Sequence, residues 1–230
     1  MSNELKRVGL LGGTFDPVHN GHLDLAVKTK QLFNLQKVLF VPVNQSPHKL
    51  DVQPASSLHR VTMLELALEQ KTGFSMELFE VDKGGISYTI ETLSRLKERH
   101  PDWELFLILG ADVFLLMDTW KSFTEIIKLC HILVGTRPGI KLEVPDKLSQ
   151  TLGLKKTPLV NNDLILPMTL NTATEKTIHL YQIPTPNISS REIRQRVQEE
   201  KEIKNLLPPA VDHYIMHHRL YRVESPPNKV

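Results

Sequence analysis

His19 and His22 stand three residues apart at the end of the run Gly12-Gly13-Thr14-Phe15-Asp16-Pro17-Val18-His19-Asn20-Gly21-His22. An apolar segment precedes this run and a segment of helical period follows it, so it reads as a strand-to-helix turn. The i, i+3 spacing then puts both imidazoles on one face of the opening helix. Free backbone N–H groups and the positive end of the helix dipole meet there, and the glycines let backbone approach a ligand closely. The product is an anion site with two adjustable donors. A histidine pair in isolation more often caps a helix or binds a metal, but the Gly-Gly turn on a buried strand favours the anion. The run lacks both the Gly-x-Gly-x-x-Gly dinucleotide fingerprint and the Gly-Lys-Ser/Thr of a P-loop. Hydride transfer and P-loop hydrolysis therefore lose support.

A second element of the same kind is Ile188-Ser189-Ser190-Arg191-Glu192-Ile193-Arg194. It follows the strand expected at Thr177–Ile183 and opens a helix, where serines are good N-caps and Arg194 lies four residues beyond Ser190, close enough to share its ligand. Alone, the segment would pass for a capped amphipathic helix with solvated arginines. Together with the first loop it reads as a second phosphate element.

Both elements need strands to hold them. Strands are expected at Arg7–Leu11, Lys37–Val43, Phe74–Val81, Glu104–Leu109, His131–Gly135 and Thr177–Ile183. Helices are expected at His22–Phe33, Ser56–Gln70, Thr89–Glu98, Thr119–Leu129, Ser190–Glu200 and Pro209–Tyr221. Val38-Leu39-Phe40-Val41 and Leu105-Phe106-Leu107-Ile108-Leu109 are wholly apolar, as in a parallel sheet covered on both faces. The expected fold is α/β: a Rossmann-like, doubly wound, mostly parallel sheet with helices on both faces, formed as a single domain over 1–230. Its ligand belongs beyond the carboxyl ends of the strands. Periodicity fails over about 140–176, which reads as an insertion or decoration, and 224–230 with Pro226-Pro227 reads as a frayed tail.

Composition narrows the function. The 230 residues are 40% hydrophobic and 23% charged, with 28 Lys plus Arg against 26 Asp plus Glu and no long like-charge block. A general nucleic-acid binder is not expected. The single cysteine, Cys130, allows no intrachain disulfide and sits in an apolar run typical of an inert buried thiol. The stretch Leu105–Met117 is broken by Gly110 and Asp112 and falls short of the ~20 residues that span a bilayer. A cytoplasmic protein without membrane attachment is expected. His213 and His217 at i, i+4 could share a metal, but no ligand set completes the site, and a surface helix explains them.

The run Gly12 to His22 resembles the Gly-Gly-x-Phe-Asp-Pro-x-His-x-Gly-His signature of the nucleotidyltransferase superfamily, and Ile188 to Arg194 is similar to its Ile-Ser-Ser-x-x-Ile-Arg motif. The chain departs from the second motif at Arg191, where many members carry Thr. Further segments resemble the bacterial nicotinate-nucleotide adenylyltransferase family in particular: Pro47-His48-Lys49, Arg60 with Val61-Thr62-Met63-Leu64, Ser87-Tyr88-Thr89, Gly110-Ala111-Asp112, Asp118-Thr119-Trp120 and Arg137-Pro138-Gly139. Singly, each has a plainer reading, such as a core aromatic for Trp120, an N-cap for Asp112, or solvated charge for Lys49 and Arg60. Their order along the chain argues for the family.

The resemblance implies transfer of AMP from ATP to nicotinate mononucleotide, with release of pyrophosphate. It implies His22, His19 and Arg194 as catalytic residues. Gly12, Gly13, Thr14, Phe15, His19, His22, Gly110, Asp112, Ile188, Ser189, Ser190 and Arg194 would meet ATP. His48, Lys49, Arg60, Tyr88, Thr89, Trp120 and Arg137 would meet the mononucleotide. Mg²⁺ would be held mainly by the ATP phosphates rather than by a protein cage, and family members are often homo-oligomeric. Three rivals remain open at this point: another reaction of the superfamily, either adenylylation of nicotinamide mononucleotide or phosphopantetheine or cytidylylation of an alcohol phosphate; a non-catalytic nucleotide sensor; and a tRNA-synthetase fragment. The last lacks a Lys-Met-Ser-Lys-Ser segment.

Overall fold

A computed structural model describes residues 5–47, 53–136, 146–153, 168–172, 174–184 and 186–222. The strands are β1 (Lys6–Gly13), β2 (Lys37–Pro42), β3 (Phe74–Met76), β4 (Trp103–Gly110), β5 (Cys130–Thr136), β6 (Met168–Asn171) and β7 (Thr177–Gln182). They form one seven-stranded sheet in the order β3-β2-β1-β4-β5-β7-β6. Every pairing is parallel except β6 with β7, in which Met168 lies opposite Leu180 and Asn171 opposite Thr177. The fold is the expected Rossmann-like α/β architecture.

The helices are α1 (Asn20–Leu32), α2 (Ser57–Leu68), α3 (Phe79–Lys83), α4 (Thr89–Arg99), α5 (Ala111–Phe114), α6 (Phe123–Leu129), α7 (Asp146–Thr151), α8 (Ser190–Gln198) and α9 (Pro209–His217). Strand residues alternate between two cores because their side chains alternate across the sheet. Leu39 and Val41 of β2 join Leu105, Leu107 and Leu109 of β4 under Leu93, Leu96, Phe123, Ile126 and Leu148 from α4, α6 and α7. Val38 and Phe40 join Phe106 and Ile108 on the other face, under Ala26, Met63, Leu64, Ile193, Val211 and Ile215 from α1, α2, α8 and α9. Among the described residues, no helix is long and apolar enough to cross a membrane.

Three expected elements differ. The strand expected over Phe74–Val81 ends at Met76, and Phe79–Lys83 turns into a helix that buries Glu80. The helix expected from Thr119 begins at Phe123, after Ser122 takes up a left-handed φ of 53°. The last helix stops at His217 rather than Tyr221. Within 140–176, α7 and β6 form where the pattern showed no element.

The chain winds outward from β1 in both directions, to β2 on one side and β4 on the other. That switch in order opens a crevice at the carboxyl ends of β1 and β4. Leu11 of β1 lies opposite Ile108 of β4, so the register carries Gly12-Gly13 alongside Gly110 at the mouth of the crevice.

Candidate active site

β1 delivers the first loop to this crevice. A Cβ on Gly13 would meet the Phe15 ring at 3.0 Å and one on Gly21 the His19 ring at 3.1 Å, while at Gly12 the space is open among the described residues. Gly13 and Gly21 therefore serve packing, and Gly12 leaves backbone bare. Phe15 holds a left-handed φ of 50°, unusual for an aromatic residue and sustained by burial of its ring against Phe40. The same ring meets His22 edge-on, with centroids 5.1 Å apart.

The two imidazoles are stacked, 3.7 Å between centroids and 23° from parallel. The backbone N–H of His19 donates to Nδ1 of His22 at 3.3 Å. An Nδ1 that accepts carries no proton, so neutral His22 is the Nε2–H tautomer and Nε2 is its donor atom. His19 is 6% exposed.

The loop is closed from α8. Arg194 Nη1 donates to the Asp16 carbonyl at 2.7 Å and lies 3.5 Å from Asp16 Oδ2, while Ser190 Oγ donates to the Pro17 carbonyl at 2.9 Å. Ser189 Oγ accepts from the N–H of Glu192, which caps α8 and leaves the Ser189 O–H as a donor. Ile188 packs in the core beneath them. The two segments expected to meet phosphate, far apart in sequence, are thus one structure.

Asp16 joins more than these two. It is 4% exposed, and its Oδ1 accepts from the Ala55 N–H at 3.1 Å and from the Tyr221 hydroxyl at 2.8 Å. Burial, and after it the charge of Asp16, pushes the Tyr221 phenol above its ordinary value, so it stays a donor. Arg60 is 1% exposed, and four of its five N–H donors go to backbone carbonyls: Ala55 at 3.0 Å, Thr14 and Val43 at 2.7 Å each, and Asn44 at 3.3 Å. Its guanidinium fastens the first loop to the end of β2. Burial works against its charge, and Asp16 works for it.

At the next strand, Gly110 caps α5 and Asp112 sits exposed at its start, its Oδ1 only 2.7 Å from where a Gly110 Cβ would lie. On the other side of the crevice, Gln45 bridges to Ile86, and Ser87 Oγ accepts from the Asn44 N–H at 3.1 Å. These contacts bring Tyr88 and Thr89 to the same end of the sheet, at the start of α4. Lys121 Nζ lies 4.0 Å from the Tyr88 ring centroid and pairs with Glu91 at 3.1 Å, tying this turn to Trp120, which packs half-buried on the core. Buried Glu80 accepts from Thr92 Oγ1 at 2.6 Å, and burial raises its carboxyl above the ordinary value while the Thr92 and Ser87 hydroxyls lower it.

The expected residues of the first loop, α8, the end of β4 and the start of α4 therefore line one end of the sheet. Arg60 reaches that end, but with its donors turned to carbonyls. His48, Lys49 and Arg137 lie outside the described residues. Asp16, Tyr221 and Lys121 carry contacts that sequence reasoning did not assign; Asp16 stood in the motif, but its partners lie 39, 178 and 205 residues away. Among the described residues, no three His, Cys, Asp or Glu side chains gather to hold a metal.

The chain and its fold have known counterparts. Residues 10–196 match the cytidylyltransferase-like family model. The protein named "Probable nicotinate-nucleotide adenylyltransferase" of Moorella thermoacetica is 37% identical over 217 residues, covering 94% of this chain and 92% of that one. A protein of the same name from Bacillus pumilus is 34% identical over 217 residues, covering 94% and 99%. The structure of Plasmodium falciparum nicotinic acid mononucleotide adenylyltransferase complexed with NaAD superposes with a TM-score of 0.70 at 19% identity, covering 94% of this chain and 97% of that one. The chain belongs to the cytidylyltransferase-like family and, within it, to the nicotinate-nucleotide adenylyltransferases.

Proposed function

We propose that the protein transfers the AMP portion of ATP to nicotinate mononucleotide, giving nicotinate adenine dinucleotide and pyrophosphate in NAD biosynthesis. The observation that carries this reading is the closure of the His19/His22 loop by α8, through Arg194 on the Asp16 carbonyl and Ser190 on the Pro17 carbonyl. It makes one anion-binding surface from two helix starts at the switch point of the sheet.

The chemistry asks little of a base. A phosphate monoester has a second pKa of about 6, so the attacking oxygen is already largely ionised at neutral pH. What the protein must do is align the two phosphates and stabilise the charge that spreads over the equatorial oxygens and the departing pyrophosphate. His22 Nε2–H donates to the α-phosphate, with its ring set by the His19 N–H on Nδ1. His19 supports the triphosphate. The backbone from Gly12 to Phe15, the Ser189 O–H, the N–H groups that open α8 and the guanidinium of Arg194 close around it. Gly110 and Asp112 meet the nucleotide from the end of β4. Mg²⁺, carried by the triphosphate and water, would add charge neutralisation there.

The acceptor lies toward α4. The N–H groups at Tyr88 and Thr89, at the positive end of that helix, suit the carboxylate of nicotinate better than an amide, which brings a donor where an acceptor is wanted. Trp120 supplies an aromatic face for the pyridine ring, and His48, Lys49 and Arg137 are read as further mononucleotide contacts. Arg60 acts one step back, holding Thr14 and Val43. We read 1–230 as one domain, supported by a single sheet that draws strands from Lys6 to Gln182. A cytoplasmic setting goes with this reading.

The test is pyrophosphate release from ATP and Mg²⁺ with nicotinate mononucleotide, nicotinamide mononucleotide or phosphopantetheine as acceptor. Release with the first alone is expected. Equal use of the first two would remove the carboxylate argument, and silence with all three would remove the transferase.

A further inference from the structure

We propose that Tyr221 is a positioning residue for Arg194, acting through Asp16, and that it keeps one arm of the Arg194 guanidinium available to a phosphate. The inference rests on the nucleotide reading above and adds to it a residue beyond both phosphate elements.

A carboxylate beside a guanidinium favours a bidentate pair, two oxygens on two nitrogens. Asp16 and Arg194 do not form one. Oδ1 of Asp16 is held by the Tyr221 hydroxyl at 2.8 Å and the Ala55 N–H at 3.1 Å, so Oδ2 alone faces Arg194, at 3.5 Å, and it faces Nη1. The short bond to the Asp16 carbonyl, 2.7 Å, also comes from Nη1. Arg194 is therefore anchored through one nitrogen, and its side chain is 28% exposed at the rim of the first loop. A guanidinium fixed at one corner presents its remaining donors to a second anion.

Tyr221 reaches Asp16 through a shaped turn. Beyond α9 the Leu220 N–H returns to the Ile215 carbonyl at 3.0 Å, and Arg219 and Tyr221 take left-handed φ values of 51° and 63°. An aromatic residue in that region is held there by its surroundings. Here these are the second core, against which the ring packs, and the Asp16 carboxylate. Phenylalanine at 221 would keep the packing and lose the hydroxyl. Oδ1 would then have the Ala55 N–H alone, and Asp16 would be free to rotate onto Arg194 and draw the guanidinium away from an incoming triphosphate.

The test is a double-mutant cycle of Tyr221→Phe and Arg194→Ala on the full chain, read by equilibrium ATP binding and by steady-state kinetics. Tyr221→Phe is expected to weaken ATP binding about tenfold and to raise KM for ATP to match, with KM for nicotinate mononucleotide unchanged. Added to Arg194→Ala, it should do nothing further. A variant that was only less stable would lose kcat and leave both KM values in place, which would overturn the proposal, as would additive effects in the cycle. If the protein binds ATP without turnover, the transferase reading fails while the binding cycle still decides the role of Tyr221. If it binds no ATP, both fall.

Discussion

The rings of His19 and His22 stack at 3.7 Å while the backbone of the first donates to Nδ1 of the second. One residue thus sets both the plane and the tautomer of the other, which is how a histidine is prepared to donate from Nε2 without reorganising.

Removing that donor should be costly and local. His22→Ala is expected to lose roughly 10²–10³-fold in turnover, the range for one transition-state hydrogen-bond donor, with the fold intact. Initial rates of pyrophosphate release, measured beside the thermal midpoint, check both halves. Full activity in the variant would take His22 out of the mechanism.

Arg60 should behave in the opposite way. Its guanidinium satisfies the carbonyls of Thr14, Val43, Asn44 and Ala55 in a buried setting, so Arg60→Met strands acceptors at the joint between the first loop and β2. A loss of at least about 2 kcal/mol in unfolding free energy is expected. Urea titration reads it directly, and an unchanged midpoint would contradict the assignment.

His131 predicts an acid weakness away from the site. Its Nδ1 accepts the Thr177 N–H at 3.1 Å and its Nε2 lies 3.2 Å from Glu104, so the ring fits its place in the neutral form. Burial first, and then the Lys176 charge, outweigh Glu104 and lower its pKa to about 4 from 6.5. The folded value lies below the unfolded one, so between these limits the unfolded chain binds the extra proton and stability falls as pH falls. Urea midpoints should drop from pH 7 to pH 4.5 in the natural protein and drop less in His131→Phe. Parallel curves would rule out this origin.

Cys130 should be silent until the protein opens. It is fully buried, its Sγ donates to the Ile126 carbonyl at 3.4 Å, and burial pushes its thiol up to about 12. A thiol reagent should label it only as fast as the chain unfolds. Prompt labelling under native conditions would show that the α6–β5 junction breathes.

What could be read in advance follows from what is local. β2, β4 and the centre of β5 announce themselves as apolar runs because a strand covered on both faces needs apolar residues throughout. The span Phe74–Val81 misled because a short mixed run fits either period, and the choice was made by Glu80 turning inward to Thr92, a contact across 12 residues. β6 is specified by its ladder with β7 more than by its own pattern. The motif residues of the first loop and of α8 were visible as types at fixed spacings. The Asp16 junction was not, because its partners come from the segment before α2, from α8 and from the turn beyond α9.

Among the described residues, β3 and β6 form the two margins of the sheet, with three and four residues, and the five strands between them have six to eight. Long greasy strands with open margins recruit other chains, since unpaired N–H and C=O groups are a template for further pairing. Here the margins are too brief to seed such growth. The wholly apolar runs Val38–Val41 and Leu105–Leu109 are kept inside by two of the chain's least conspicuous pieces.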